Sequence, residues 1–279
     1  MPFQYNDNKF VKNSASSNLF GNRIYYARNS ECNGNEFAYN TAGNYVYYGW
    51  LHLYSNDSKI LNNIYHNNYG GYGELYGLYV GYSNNQITAH NTIAVGDVTG
   101  GYYNYMWYVF YNQSYTGSKF MNNILTCTTT PGFGYGYPIY STTTGVDWGG
   151  NVVDLKGTYT KYFRVANTNY ATFALWAAAM EDETSIEADP QYTNLAQGDL
   201  TPRNPKIANI GIAGLSSDDY LGKSRTACGP DPGAKEFYVD HSVTNSSSLP
   251  ANECGGFTMD FSVTLSNGTN VAMAGVPVF

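Results

Sequence analysis

Short runs of alternating apolar and polar residues recur along the first half of the chain, separated by clusters of Gly, Asn and Ser. In one register an Asn stands two residues before an apolar residue: NKF (8–10), NEF (35–37), NNI (62–64), NTI (91–93), NNI (122–124) and NVV (151–153), at intervals of 27, 27, 29, 31 and 29. A second register falls about midway through each interval: RIYY (23–26), WLHL (50–53), GLYV (77–80), WYVF (107–110) and PIYS (138–141). Alternation over a few residues, bounded by turn formers, predicts strands and turns. The recurrence predicts an all-β fold in which each repeat is one coil of a right-handed parallel β-helix.

Successive coils stack about 4.8 Å apart, so equivalent residues form rows along the axis. The spacing predicts an amide row of Asn8, Asn35, Asn62, Asn91, Asn122 and Asn151, each side chain serving its own turn and the equivalent amide one coil away. Just downstream, Phe10, Phe37, Ile64, Ile93, Ile124 and Val153 are expected to face inward. Their neighbours Val11, Ala38, Tyr65, Ala94 and Leu125 then face outward, because strand side chains alternate.

Past residue 168 the pattern changes. TNYATFALWAAAMEDE (168–183) sets Phe173, Trp176 and Met180 at helical spacing behind a Thr or Asn able to cap, and predicts one short helix packed across the coils. The Pro- and Gly-rich stretch beyond it predicts long turns. The solenoid with its closing segment, which begins at about 168, is expected to span 1–238. Residues 239–279, with the alternating run FTMDFSVTLSNGT, are expected to form a tail or small β extension.

Composition narrows the function classes. Charged residues are only 13% of the chain, against 29 Tyr and 30 Gly, so the surface has to be built from Asn, Ser, Thr and Tyr. A formal charge of −7 with scattered basic residues gives no footprint for nucleic acid, and no apolar run is long enough for a membrane span. Of four cysteines, Cys228 and Cys254 are the two that could bridge, while Cys32 and Cys127 are expected to pack singly. The N-terminus lacks the parts of a signal peptide, and the chain reads as a portion of a larger extracellular or cell-surface protein.

The ordered segments IEADPQY (186–192), GDLTP (198–202), NPKIANIG (204–211), DYLGKSR (219–225) and PDPGAKEF (230–237) resemble the closing segment of secreted right-handed parallel β-helix proteins of the pectate-lyase-like superfamily. Asn204 stands where that pattern usually has Ser, and Asn209 where it has Asp. Arg225, with Asp219, Asp231 and Glu236 as acceptors, is expected to form a buried network pinning the last coils rather than a catalytic group. Asn35, Asn62, Asn91 and Asn122 are likewise structural.

The resemblance implies a polysaccharide as partner. The tyrosine-dense stretches at 44–54, 69–82 and 101–115 suit core packing, a protein partner or a sugar-contacting strand face, with Tyr47, Trp50, Tyr54, Tyr76, Tyr79 and Trp107 as candidates for the last. No cofactor is expected and no metal ligand set is recognisable, since Asp and Glu are dispersed over the coils. For a lyase of this fold the resemblance makes calcium a possible cofactor. The candidate base is His66 or His90, with Lys59 neutralising a uronate carboxylate. Three readings stay open at this point: polysaccharide contact with catalysis undecided, a lyase acting by β-elimination, or a non-catalytic adhesion module.

Overall fold

Three long stacks of parallel strands and a fourth, short one of Ser14–Ala15, Thr41–Ala42 and Tyr69–Gly70 wind about one axis. The computed structural model describes residues 4–15, 19–42, 47–70, 74–95, 106–113, 116–127, 135–156, 163–226 and 229–237. Sheet I comprises Gln4–Asn6, Glu31–Asn33, Lys59–Leu61, Ile87–Ala89, Ser118–Met121 and Val146–Gly149. Sheet II comprises Lys9–Val11, Glu36–Ala38, Ile64–His66, Thr92–Val95, Ile124–Cys127, Val152–Leu155 and Ile186–Glu187. Sheet III comprises the longer strands Leu19–Tyr25, Tyr47–Leu53, Glu74–Gly81, Met106–Gln113 and Tyr135–Ser141, then Phe163–Val165 and the antiparallel Thr168–Tyr170. The fold is the expected right-handed parallel β-solenoid with one short helix. The chain divides into Met1–Val239 and Asp240–Phe279. The expected β extension lies outside the described residues, as do Cys228 and Cys254. Cys32 and Cys127 are both buried in the core.

The corner between sheets I and II takes two residues, and it corrects the predicted amide row. The first residue adopts a left-handed conformation: Asp7, Gly34, Asn62, His90, Asn122 and Gly150 have φ between 54° and 68°. The second supplies the row, which runs Asn8, Asn35, Asn63, Asn91, Asn123 and Asn151 and ends on Ser185. Asn62 and Asn122 were assigned one place too early. Each row oxygen accepts both the backbone N–H and the Nδ2 of the preceding coil's Asn; for Asn63 to Asn91 the distances are 3.0 and 2.8 Å. The doublets at 62–63 and 122–123 hid the register because Asn suits both positions, tolerating positive φ as well as bridging amides.

The one-residue slip also exchanges two faces. Phe37, Tyr65, Ile93, Leu125 and Val153 are in register and fill the core, whereas Ile64 and Ile124 point outward beside Thr92 and Val152. A shift of one residue in a strand moves every side chain to the opposite face.

Sheet III has a local break of its own. Gly49 packs so close to the core ring of Tyr65 that a Cβ there would stand 1.7 Å from it, and the next residue, Trp50, is also buried. Two consecutive inward positions interrupt the alternation, as at a bulge. Trp50 therefore packs on Phe37, ring centroids 4.9 Å apart, and is removed from the sugar-facing set.

The helix forms at Phe173–Ala179, capped by Thr172, whose side chain accepts from the Leu175 N–H. Its buried Trp176 packs on Phe163 and on the edge of Trp148, closing the core beside the last coils. No helix among the described residues is long and apolar enough to cross a membrane.

Candidate functional site

The outer face of sheet II is roofed by the closing segment. Leu200 and Ala234 cover Ile64 and Ala94, while Ile207 and Phe237 cover Ile124 and Val152. The roof is pinned by Arg225. Its Nη1 donates to Glu236 Oε1 at 2.8 Å and to the Asp231 carbonyl, and its Nη2 donates to Asn62 Oδ1 at 2.7 Å and to the carbonyls of Gly233 and Ala234. Asp231 accepts the N–H groups of Asn209 and Phe237, and Asp219 those of Leu221, Lys223 and Glu236. Burial pushes the Asp231 and Glu236 carboxyls up and the Arg225 guanidinium down, so these charges hold one another in place at a desolvation cost. Asn62 and Asn122 thus have structural roles of another kind: Asn62 receives Arg225, and Asn122 exchanges bonds with the backbone of Ile212.

His66 and His90 lie beneath this roof, with 1% and 0% of their surface exposed. His90 occupies the left-handed corner position. Its Nε2 faces the Asn122 amide nitrogen at 3.0 Å and its Nδ1 faces the Asp231 carbonyl at 3.2 Å. An amide N–H donates and a carbonyl accepts, which assigns the proton to Nδ1 and engages the lone pair of Nε2. Burial holds the ring well below the usual histidine range, so it is neutral. His66 lies against Gly198, where a Cβ would come within 2.3 Å of the ring. Its Nε2 is 3.3 Å from Glu36 Oε1, while Lys9 reaches the other Glu36 oxygen at 2.8 Å. The His66 contact, with Lys9, brings the Glu36 carboxyl down to about 2. Lys59 stands on the outer side of sheet I, and no hydrogen bond or ion pair among the described residues joins it to either histidine.

The outer face of sheet III has a different chemistry. Arg23, Leu51, Tyr79, Tyr111, Tyr140 and Arg164 are register partners in one row along the axis. The Tyr79 hydroxyl bonds Gln113 Oε1, two residues beyond its register partner in the next strand, so the ring must lie down along the sheet to reach it. It occupies the space over Gly81, where a Cβ would stand 3.3 Å from Tyr79 Cε2. Gln113 Nε2 in turn donates to the Tyr111 hydroxyl at 3.0 Å. Tyr111 meets Tyr79 edge-on, with centroids 4.5 Å apart, and stacks on Tyr140 at 4.8 Å. Arg164 lies over the Tyr140 ring. Tyr79, Tyr111 and Tyr140 are half-buried, whereas Tyr76 is buried beside Tyr79 and Tyr111.

At the corner leaving this sheet, Tyr26, Tyr54 and Tyr82 stack at 5.0 and 4.8 Å, all at positive φ. Tyr26 and Tyr54 are among the most exposed apolar side chains described. The strands carrying Tyr47 and Trp107 are in place, but those two side chains lie outside the description. Gln113, Tyr111 and Tyr140 were missed as candidates. The available signal was the amide two residues beyond a tyrosine, in register with Gly81. Neither a scan against family models nor a search of curated proteins finds a match to this chain.

Proposed function

We propose that the protein is an extracellular β-solenoid that contacts polysaccharide through the outer face of sheet III, a member of the pectate-lyase-like group its closing segment resembles. The observation carrying this reading is the Tyr79 ring laid over Gly81, with Gln113 and the Tyr111 hydroxyl at its edge. A sugar ring has an apolar C–H face and a rim of hydroxyls. It matches a flat ring bordered by neutral donors and acceptors better than a purely apolar protein patch does. The arginines at the two ends of the row add donors for the rim. His66 and His90 do not offer the base that a β-elimination route requires, because both rings are enclosed and the Nε2 of His90 is engaged.

Affinity electrophoresis of the purified chain in gels containing neutral or uronate polysaccharides tests the reading. Retardation by at least one polymer is expected, weakened in Tyr79→Ala and Tyr111→Ala. Unretarded migration in every gel, or retardation that both variants retain in full, would falsify it. Monitoring the same mixtures for new double bonds and new reducing ends addresses catalysis directly.

A further inference from the structure

The two ends of the coil stack are finished differently. At the last coil the amide row stops on Ser185, whose Oγ accepts the N–H and Nδ2 of Asn151 at 2.8 and 3.2 Å and whose own N–H donates to Asp182 Oδ1. Trp176, fully buried, plugs the core beside it. The first coil has no such finish among the described residues. Gln4–Asn6, Lys9–Val11, Ser14–Ala15 and Leu19–Tyr25 are the outermost strands of all four stacks, each with a described neighbour on one side only. The inward rings of Tyr5 and Phe10 are half-buried, whereas Cys32 and Phe37, their register partners in the second coil, are fully buried.

The rows show what this end lacks. A second amide row, at the corner between sheet II and the short stack, runs Asn13, Asn40 and Asn68. In both rows each Asn donates its N–H and Nδ2 forward and accepts on Oδ1 from the coil before. At the start of the rows, Oδ1 of Asn8 and of Asn13 accepts from no described residue. The oxygen and nitrogen of an amide point apart, and here Nδ2 is held to the second coil, at 3.0 Å by Asn35 and 2.9 Å by Asn40. Both oxygens are therefore turned away from the second coil, toward the open edge. Tyr26, the first ring of the corner stack, is 73% exposed at the same end.

The chain itself displays what continues these rows. NKFVKN (8–13), NEFAYN (35–40) and NIYHNN (63–68) share the form Asn-x-aromatic-x-x-Asn, with the aromatic ring turned into the core. A segment of that form, running parallel, brings donors to both open oxygens and a ring to cover Phe10. We infer that the first coil is a docking edge for such a segment of a partner polypeptide, added as the next pair of parallel strands. A second copy of this chain fits poorly. Its first coil presents the same two oxygens, acceptor against acceptor, and its last coil has its row closed by Ser185 and Asp182. The edge rests on the amide rows and does not depend on the sugar-contacting reading of sheet III.

Fluorescence anisotropy of a labelled peptide with the sequence of residues 33–42, NGNEFAYNTA, titrated with the full chain tests this. Saturable binding is expected. Replacing both row asparagines of the peptide by Ala, or reversing its sequence, should weaken binding at least about tenfold, since the first removes the donors and the second the parallel register. On the protein, Asn8→Ala combined with Asn13→Ala should weaken the peptide by a similar factor. Hydrogen exchange of the unaltered chain provides a readout that needs no variant: bound peptide should slow exchange within residues 4–25 and nowhere else. The inference is overturned if the peptide does not bind, if the Ala or reversed peptide binds as well, or if protection falls outside the first coil. A dimer in sedimentation that protects the same residues and resists the peptide would overturn it too, by assigning the edge to a second copy.

Discussion

Sheets II and III are built by the same coils, yet their outer faces have opposite fates. Outside sheet II stand Ile64, Thr92, Ile124 and Val152, side chains too apolar or too small to hold a hydrated surface, and the closing segment covers them. Outside sheet III stand tyrosines, which bury ring carbons against one another while keeping a hydroxyl for water or a ligand, and the row at Tyr79, Tyr111 and Tyr140 stays half-open. A solenoid coil therefore needs only one roofed face to close its core, and a second can be given to contact. The two expected bases, His66 and His90, fall on the roofed side, where both rings are enclosed and burial holds His90 neutral.

The contrast can be broken most severely at the roof. Arg225→Ala should cost about 3–5 kcal/mol in chemical denaturation, because it leaves Glu236 and Asp231 buried without their cation. A loss under about 1 kcal/mol would mean that the network does not pin the roof.

Next in size is the amide row. Asn91→Ala strands the backbone N–H and Nδ2 of Asn63 and is expected to cost about 2–3 kcal/mol. An unchanged denaturation midpoint would remove the row from the account of stability.

Acid should then loosen the fold at its buried histidines, His90 under the roof and His52 in the core, the latter brought down to about 3 by burial. The folded His90 is held below its ordinary value of 6.5, so the unfolded chain takes up a proton that the folded chain refuses, and stability falls as pH drops below that value. Glu36, at about 2 in the fold against 4.5 ordinarily, adds a second loss between those values. Unfolding free energies measured from neutral pH downward should show both limbs. His90→Gln should reduce the first, leaving the share that belongs to His52, and Glu36→Gln should flatten the second; limbs unchanged in the two variants would refute the assignment.

The smallest effect on stability belongs to the open face. Tyr79→Ala should shift stability by about 1 kcal/mol, a partly exposed ring being lost, while weakening glycan retention about tenfold. A variant that binds normally would return the row to simple packing.

Much of this architecture is legible from the chain. The coil period, the parallel solenoid and the capped helix with Phe173 and Trp176 follow from spacing and residue type, because each depends on local alternation; the Arg225 network was expected from the closing segment's family resemblance and from a charge that demands partners. The amide row was legible in kind but not in register. At 62–63 and 122–123 either Asn satisfies the spacing, and only the positive φ of the first fixes which one turns the chain and which one bridges coils.

The sequence by itself determined that successive coils stack and which residue types line their rows, since a period of strands and turns permits little else. Tertiary structure alone decided which face is covered. The segment that roofs sheet II is more than a hundred residues downstream of Ile64 and His66, and no local pattern near them encodes its path. The same long-range closure enclosed two histidines and left the tyrosine row accessible.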